Sequence, residues 1–408
     1  MIVQADAAPG DADPGDADPG VANPGDAASS AGAGAGATPA GPAPGDIVAS
    51  DAAWDAFVAG GLPGSYLQLS HWARVKAPNG WASTRIAAPV AGAAATGGAP
   101  DRRLAAQILV RRPRGLPWAF AYAPRGPVGS DRRCWDADAL SSFTDACRAG
   151  LGGPVGRVSH LRIDPEIERD GDLDPAGRLR TALERLGWRP APYIQPETTR
   201  LIDLRAEEAA LWGDLRKKWR QYVNRARGAG VVVEDDDGSR LGEFYRIYRE
   251  TASRAGFHIR TEAAYRDVWQ AYRPSGAARL LFAVDGDGTP QATLMLIRCG
   301  ARVVEPYGGM TAFGAETRAN YLLKWEAIRS SREQGAATYD LWGLAHPGIA
   351  HFKAGFGGRE VRYVGAWDLV LDRLGREAFD KGTRARAWWA RRRLGGRAAD
   401  VPAPQGAD

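Results

Sequence analysis

Lys353 stands in the most chemically suggestive setting of the chain: in HFKAGFGG it follows Phe352 and precedes a run of glycines. Glycine lets backbone come close to a ligand. A fixed cation shielded from water stabilises the oxyanion that forms when a carbonyl is attacked. The bland reading makes Lys353 an exposed lysine in a Gly-rich turn. His351 is a weak candidate to accept a proton there. A second cluster runs from Leu211 to Arg227, where Arg216, Lys217, Lys218, Arg220, Arg225 and Arg227 interleave with Trp219 and Tyr222. That mixture suits phosphate contacts and base stacking; a solvated helix with its aromatics in the core is the alternative. Near the C-terminus, KGTRARAWWARRRLGGR holds seven basic residues, no acidic ones and Trp388–Trp389. It suits an anionic membrane surface or a nucleic acid, and is equally a charged helical end with no specific partner.

Other chemistries find less support. Cys134, Cys147 and Cys299 lack CxxC spacing, and the five histidines form no ligand pattern with them, so neither a metal site nor a disulfide framework is expected. No stretch approaches the roughly 20 apolar residues of a membrane helix, and the Asp-rich start lacks the basic and apolar regions of a signal peptide. A cytoplasmic protein is expected. The first 46 residues hold seven Asp and no Lys or Arg. With few large apolar side chains they read as a disordered tail. Removing their charge of −7 from the whole-chain +5 leaves +12 on the remainder, a balance that attracts nucleic acid, anionic lipid or phosphorylated small molecules.

The elements that must position these residues alternate between the two periods. DAAWDAFVAG, ADALSSFTDACRAGL and GRLRTALERLGWRPA are helical; RIAAPV, AAQILVRR and VSHLRIDPEI read as strands, the first two separated by a Gly- and Ala-rich loop. The layout then repeats. TTRLIDL is a strand, ALWGDLRKKWRQYVNRARGAG a single basic helix, VVVED its strand partner, and SRLGEFYRIYRETASRAGF and TEAAYRDVWQAY are helices. ARLLFAVDGDGTPQATLMLIRCGARVVEPYGG reads as a three-strand meander with a DGDG turn. The helix ANYLLKWEAIRSSREQG leads into the strand ATYDLWG, a Gly-rich loop carrying Lys353, and a final strand VRYVGAWDLVL.

Ten phrases, taken in order, carry a resemblance: YLQLSHWARVKAPNGW, YAPRGPV, LRIDPEI, QPETTRLIDL, LRKKWRQYVNRA, ETASRAGFHIR, YGGM, ANYLLKWEAIRSSREQG, YDLWG and HFKAGFGG. From about residue 54 to 369 the chain resembles the Fem family of peptidoglycan bridge-forming aminoacyltransferases, lipid II:glycine glycyltransferase-like members included. The resemblance implies an α+β fold of two acyltransferase-like (GNAT-like) domains, the second inserted before the last strand of the first. The expected division is a tail at 1–46, domain 1 at 47–197 with 362–380, domain 2 at 198–361, and a basic helix and tail at 381–408. The long helical-hairpin arm of staphylococcal-type members has no counterpart heptad pattern here.

The resemblance also implies a reaction: tRNA-dependent transfer of Gly, Ala or Ser to the amino group of the third stem-peptide residue of a peptidoglycan precursor. Its FK motif falls on Phe352 and Lys353, the first shaping the site and the second holding the oxyanion. Lys76 and Arg254 match the ligands of the precursor's phosphates, and Tyr307 and Tyr122 are candidate hydroxyl donors to substrate. Arg125 and Asp164 lie in similar phrases, where loop ion pairing explains them equally well. Arg216, Lys217, Lys218 and Arg220 are candidate tRNA contacts. The implied partners are aminoacyl-tRNA as co-substrate, lipid II or UDP-MurNAc-pentapeptide as acceptor, and the inner membrane leaflet, with a monomer acting without further cofactor. A coenzyme A site is not expected, because Gly228 and Gly230 read as a helix C-cap. An acyl-CoA-dependent N-acyltransferase of the same double fold, or a non-catalytic relative that binds tRNA or membrane, are the other classes this fold admits.

Overall fold

The computed structural model describes residues 46–90, 102–151, 157–344 and 347–394. The expected N-terminal tail up to residue 45, the Gly- and Ala-rich loop at 91–101 and the end beyond 394 lie outside the described residues. The first unit opens with α1 (Asp51–Gly60), whose Ser50 side chain accepts a hydrogen bond from Ala53 N and whose buried Trp54 and Val58 share one face. Then come α2 (Ser70–Lys76), β1 (Ala82–Pro89), β2 (Arg103–Arg111), β3 (Ala119–Ala123), β4 (Val128–Gly129), α3 (Ala137–Leu151), β5 (Val158–Ile163), α4 (Arg178–Arg185) and β6 (Trp188–Ala191).

The second unit runs through β7 (Thr198–Asp203), α5 (Glu208–Asp214), α6 (Lys217–Gly228), β8 (Val232–Asp236), α7 (Leu241–Ala255), α8 (Glu262–Tyr272), β9 (Ala278–Val284), β10 (Pro290–Cys299), β11 (Arg302–Met310), α9 (Ala312–Thr317), α10 (Ala319–Glu333), β12 (Thr338–Asp340) and α11 (Pro347–Ala354). β13 (Arg359–Arg362), β14 (Ala366–Val370) and α12 (Arg373–Leu394) close the chain. The longest described helices between β7 and β13 have 15 residues, too short for a projecting coiled-coil arm.

Two seven-stranded sheets result, ordered β1-β2-β3-β5-β14-β6 with β4 beside β2, and β13-β7-β12-β11-β10-β9-β8. β14 slots between β5 and β6, so the first sheet is completed only after the whole second unit has been traversed. That is the insertion expected from the resemblance. VRYVGAWDLVL is not one strand, however. Its first residues form β13 against β7, and after a turn at Gly365 (φ +98°) the rest forms β14 in the other sheet. The basic helix also differs from expectation. It breaks at Leu215 (φ −61°, ψ 136°) into α5 and α6, and Arg220 reaches back to donate to the carbonyls of Trp212, Gly213 and Leu215 exposed by the break. VVVED pairs with β9 at the sheet edge.

Two details prepare the site. β11 pairs in parallel with β12 only over Arg302–Val304, then continues to Met310 paired with β10 alone, so the sheet splays open between β11 and β12 at the carboxyl ends of these two strands. β11 also bulges: Glu305 and Pro306 together oppose Leu296 of β10. A bulge shifts the side-chain phase, which places both Val304 and Tyr307 in the core facing α7 and α8. That core is shared by the two units. Trp54, Tyr66 and Trp72 of the first pack with Phe244, Tyr265 and Tyr272 of the second, and the Tyr272 hydroxyl donates to Tyr66 O at 2.7 Å.

Candidate active site

Lys353 sits in the last turn of α11 rather than in a loop. Its helix is pinned by α6: Trp219 Nε1 donates to Phe352 O at 3.0 Å, and Arg216 N donates to Gly355 O at 2.9 Å. The glycines that looked like room for a ligand serve this packing instead. A Cβ on Gly355 would enter the Trp219 indole, and one on Gly358 (φ +70°) would meet Leu201 O of β7. Phe352 fills the space between Tyr321 and Phe356, at ring separations of 5.2 and 5.3 Å.

The Lys353 ammonium points to the splay. Nζ donates to the carbonyls of Trp342 and Gly343, both at 2.9 Å. Those carbonyls are turned toward it because Trp342 adopts φ +56°, unusual for a bulky side chain. Three contacts hold it there: Trp342 N donates to Asp340 Oδ1 at 2.8 Å, Arg125 lies 5.2 Å from the indole centroid, and the Tyr66 ring is 5.7 Å away. Burial of the partly exposed lysine lowers its pKa to about 8, against the opposing pull of Glu305. Two carbonyls occupy two of its three donors, leaving one for a ligand entering between β11 and β12.

Beneath the lysine lie charges that the sequence alone did not single out. Lys324 of α10 and Glu305 of the bulge form a buried ion pair, and the Tyr339 hydroxyl donates to the other Glu305 oxygen at 2.9 Å. Lys324 also stands 5.6 Å over the Phe352 ring. Beside it, Arg302 bridges Asp340 and Glu166, and Arg125 faces Glu166 at 3.3 Å. Burial pushes the Glu166 carboxyl up while Arg302 and Arg125 pull it down. The chain Asp340, Arg302, Glu166, Arg125 thus ties β11 and β12 to the first unit. A lysine on the apolar face of ANYLLKWEAI and a glutamate inside the apolar run VVEPY were the available signals.

The remaining candidates disperse. Tyr122 and Asp164 meet, but the Tyr122 hydroxyl donates to Asp164 Oδ2 at 2.7 Å, and Asp164 Oδ1 accepts from Arg125 N at 2.6 Å. The hydroxyl expected to reach substrate is therefore engaged in holding the YAPRGP turn. Tyr307 is buried edge-on to Tyr265 at 5.1 Å. Lys76 is buried at the end of α2, its Nζ 4.9 Å from the Trp72 ring, which Arg260 also approaches. Arg254 is exposed on α7 and donates to Met310 O at 2.8 Å, at the carboxyl end of β11. With Arg246, Arg249, Glu250, Ser253 and Ala312 it lines an open groove of about 590 Å³. Arg216 lies 3.1 Å from His351 Nε2, and Lys217 and Lys218 are exposed beside it. Arg220 is engaged in the α5 cap, and Trp219 belongs to the core. On α12, Trp388 and Trp389 are 44% and 58% exposed. Among the described residues, no helix is long and apolar enough to cross a membrane.

Comparison with known proteins agrees with this architecture. A family model described as an acetyltransferase (GNAT) domain matches residues 213–354, from α5 to Lys353 and the residue after it. The chain is 29% identical over 236 residues to a lipid II:glycine glycyltransferase of Staphylococcus saprophyticus, covering 57% of this chain and 54% of the relative. It is 26% identical over 230 residues to the protein of that name from Staphylococcus aureus, covering 55% and 52%. The chain thus spans about half the length of the curated relatives it matches. A solved structure titled "Crystal structure of FemX" aligns with a TM-score of 0.70 at 21% identity, over 80% of this chain and 97% of that one. The resemblance carried by the ten phrases and the two-unit acyltransferase-like fold both stand.

Proposed function

We propose that this protein is an aminoacyltransferase that moves glycine, alanine or serine from aminoacyl-tRNA to the side-chain amine of the third stem-peptide residue of a peptidoglycan precursor. The observation that carries the reading is the Lys353 ammonium, held by the Trp342 and Gly343 carbonyls at the splay of β11 and β12. The name of the relatives, lipid II:glycine glycyltransferase, supports glycine as donor and a lipid-linked acceptor.

In the reaction the acceptor nitrogen attacks the ester carbonyl and forms a C–N bond. The tetrahedral oxyanion accepts a hydrogen bond from the third N–H of the Lys353 ammonium, which keeps its proton, and collapse breaks the C–O bond to the tRNA ribose. The amine's proton leaves to solvent or to the departing hydroxyl. With a pKa of about 8, Lys353 is roughly nine-tenths charged at pH 7, so the cation is in place before attack. Charge stabilisation of this kind is worth about 3–4 kcal/mol where a single donor has been removed, and co-binding of two substrates supplies about 7–11 kcal/mol more. No cofactor beyond the charged tRNA takes part. Exposed Arg254 meets the precursor's phosphates at the open groove beside α7, Lys76 and Tyr307 support the site from the shared core, and exposed Trp388 and Trp389 bring the protein to the inner membrane surface.

The test is transfer of radiolabelled glycine, alanine or serine from charged tRNA to lipid-linked and nucleotide-linked precursors, with Lys353→Met alongside. Incorporation that collapses at least a hundredfold in the variant supports the assignment. Absence of incorporation with every pair would move it to acyl-CoA-dependent acylation, checked by protection with coenzyme A in a thermal-shift assay.

A further inference from the structure

The surface of α6 and α10 next to Lys353 carries a strip of aromatic rings whose inner edges pack on the second unit's core and whose outer parts remain open beside a row of cations. Three half-buried rings follow one another across it: Tyr222 lies 4.8 Å from Tyr321, and Tyr321 lies 5.2 Å from Phe352, the neighbour of Lys353. Cations flank the rings. Lys218 Nζ is 5.7 Å from the Tyr222 centroid, and the Arg318 guanidinium is 4.5 Å from it. Lys217 is exposed one residue before Lys218. Among the described residues, no carboxylate pairs with Lys217, Lys218 or Arg318, whereas Arg227 at the far end of α6 is paired with Glu326. Arg318 also donates to Ala315 O at 3.0 Å, but like charges gathered this way repel one another, and an anion joining them relieves that repulsion.

We infer that this strip receives the single-stranded 3′ end of an RNA, with Tyr222 and Tyr321 stacking its last bases and Lys217 and Lys218 holding the intervening phosphates. The inference rests on the reading that the acyl donor is a charged tRNA, and locates where its end lies. Single-stranded nucleic acid is bound by this combination of aromatic faces and a cationic border, and Arg318 over Tyr222 offers a guanidinium plane on which a base stacks. A lipid surface fits less well. Its insertion needs protruding side chains, as Trp388 and Trp389 present, while Tyr222 and Tyr321 are half-buried. The inference also sets a direction: the ring series ends at Phe352, next to Lys353 in the chain, so the strand's 3′ end is the end that lies nearest Lys353.

The test is fluorescence anisotropy of the full chain with a short, uncharged, single-stranded RNA ending in CCA, at several salt concentrations. Tyr222→Ala is expected to weaken binding about 5- to 150-fold, and Tyr222→Phe to retain it. Lys217→Glu with Lys218→Glu is expected to weaken binding and to lower the slope of log affinity against log salt by about 0.7 for each phosphate no longer neutralised. Unchanged affinity in Tyr222→Ala and in the double charge reversal, with melting temperatures equal to wild type, overturns the inference. So does a result in which these variants lose binding to phosphatidylglycerol vesicles and keep RNA, which would make the strip a lipid surface. The two readings fail separately. If the wild type transfers amino acid and the strip variants keep the wild-type KM for charged tRNA, only the strip is wrong; if the strip binds RNA and no transfer occurs, only the reaction is wrong.

Discussion

Replacing Lys353 with Met should leave a signature in the pH dependence of stability that an ordinary surface lysine would not. Burial lowers the folded pKa of Lys353 from the ordinary 10.5 to about 8. Between those values the unfolded chain keeps the proton while the folded chain has released it. Unfolding therefore takes up a proton, and stability rises with pH across this window, the reverse of a lysine stabilised by a partner. The full window of 2.5 pH units corresponds to about 3.4 kcal/mol. Integrating the two titrations from pH 7 to pH 9.5 collects about 2 kcal/mol, and solvent screening of the partly exposed side chain trims this to about 1–2 kcal/mol. Lys353→Met keeps an apolar stem of similar length and removes the titration. Urea unfolding of both proteins at pH 7 and pH 9.5, followed by tryptophan fluorescence, gives the difference in midpoint at each pH. The wild type should gain on the variant by that amount as the pH rises. The buried tyrosines titrate in both proteins and cancel. A difference that stays flat, or moves the other way, refutes the argument that Lys353 is a desolvated cation.

Transfer activity should fall along an alkaline limb centred near pH 8 as Lys353 loses its proton, and Glu305→Gln should move that limb to lower pH, because the Glu305 charge supports the protonated form while Lys324 opposes it; a pH–rate profile on both proteins decides this. Gly355→Ala drives a methyl group into the Trp219 indole, so α11 should be displaced, with a loss of about 1–3 kcal/mol in stability and a larger loss of kcat, read by melting and transfer assays. Arg302→Met leaves Asp340 and Glu166 buried beside each other, which should cost about 3–5 kcal/mol in a denaturant titration. Tyr122→Phe removes a hydroxyl bonded to Asp164, so it should cost about 1–3 kcal/mol of stability while KM for the precursor stays at the wild-type value.

Much of the architecture was legible because it is written in local periodicity. Trp54 and Val58 mark the buried face of α1, the DGDG turn separates β9 from β10, and Gly256 at φ +70° ends α7 where the pattern stops. The ten phrases pointed to Phe352 and Lys353, since residue order along a chain survives folding. Local pattern could not show that VRYVGAWDLVL divides between two sheets, because both pieces are equally good strands and only the positive φ of Gly365 turns one away from the other. Nor could it show that Lys353 rides on a helix, or that the glycines after it make room for Trp219 and β7. The ion pairs lie further still from sequence: Arg302 meets Glu166 across 136 residues, and Lys324 meets Glu305 only because a bulge in β11 aims the carboxylate at α10. The acidity of Lys353 belongs to the same class. It arises from the water excluded and the charges gathered around one ammonium by four separate elements, and a linear pattern carries residue types and spacing but not the distances over which charges act.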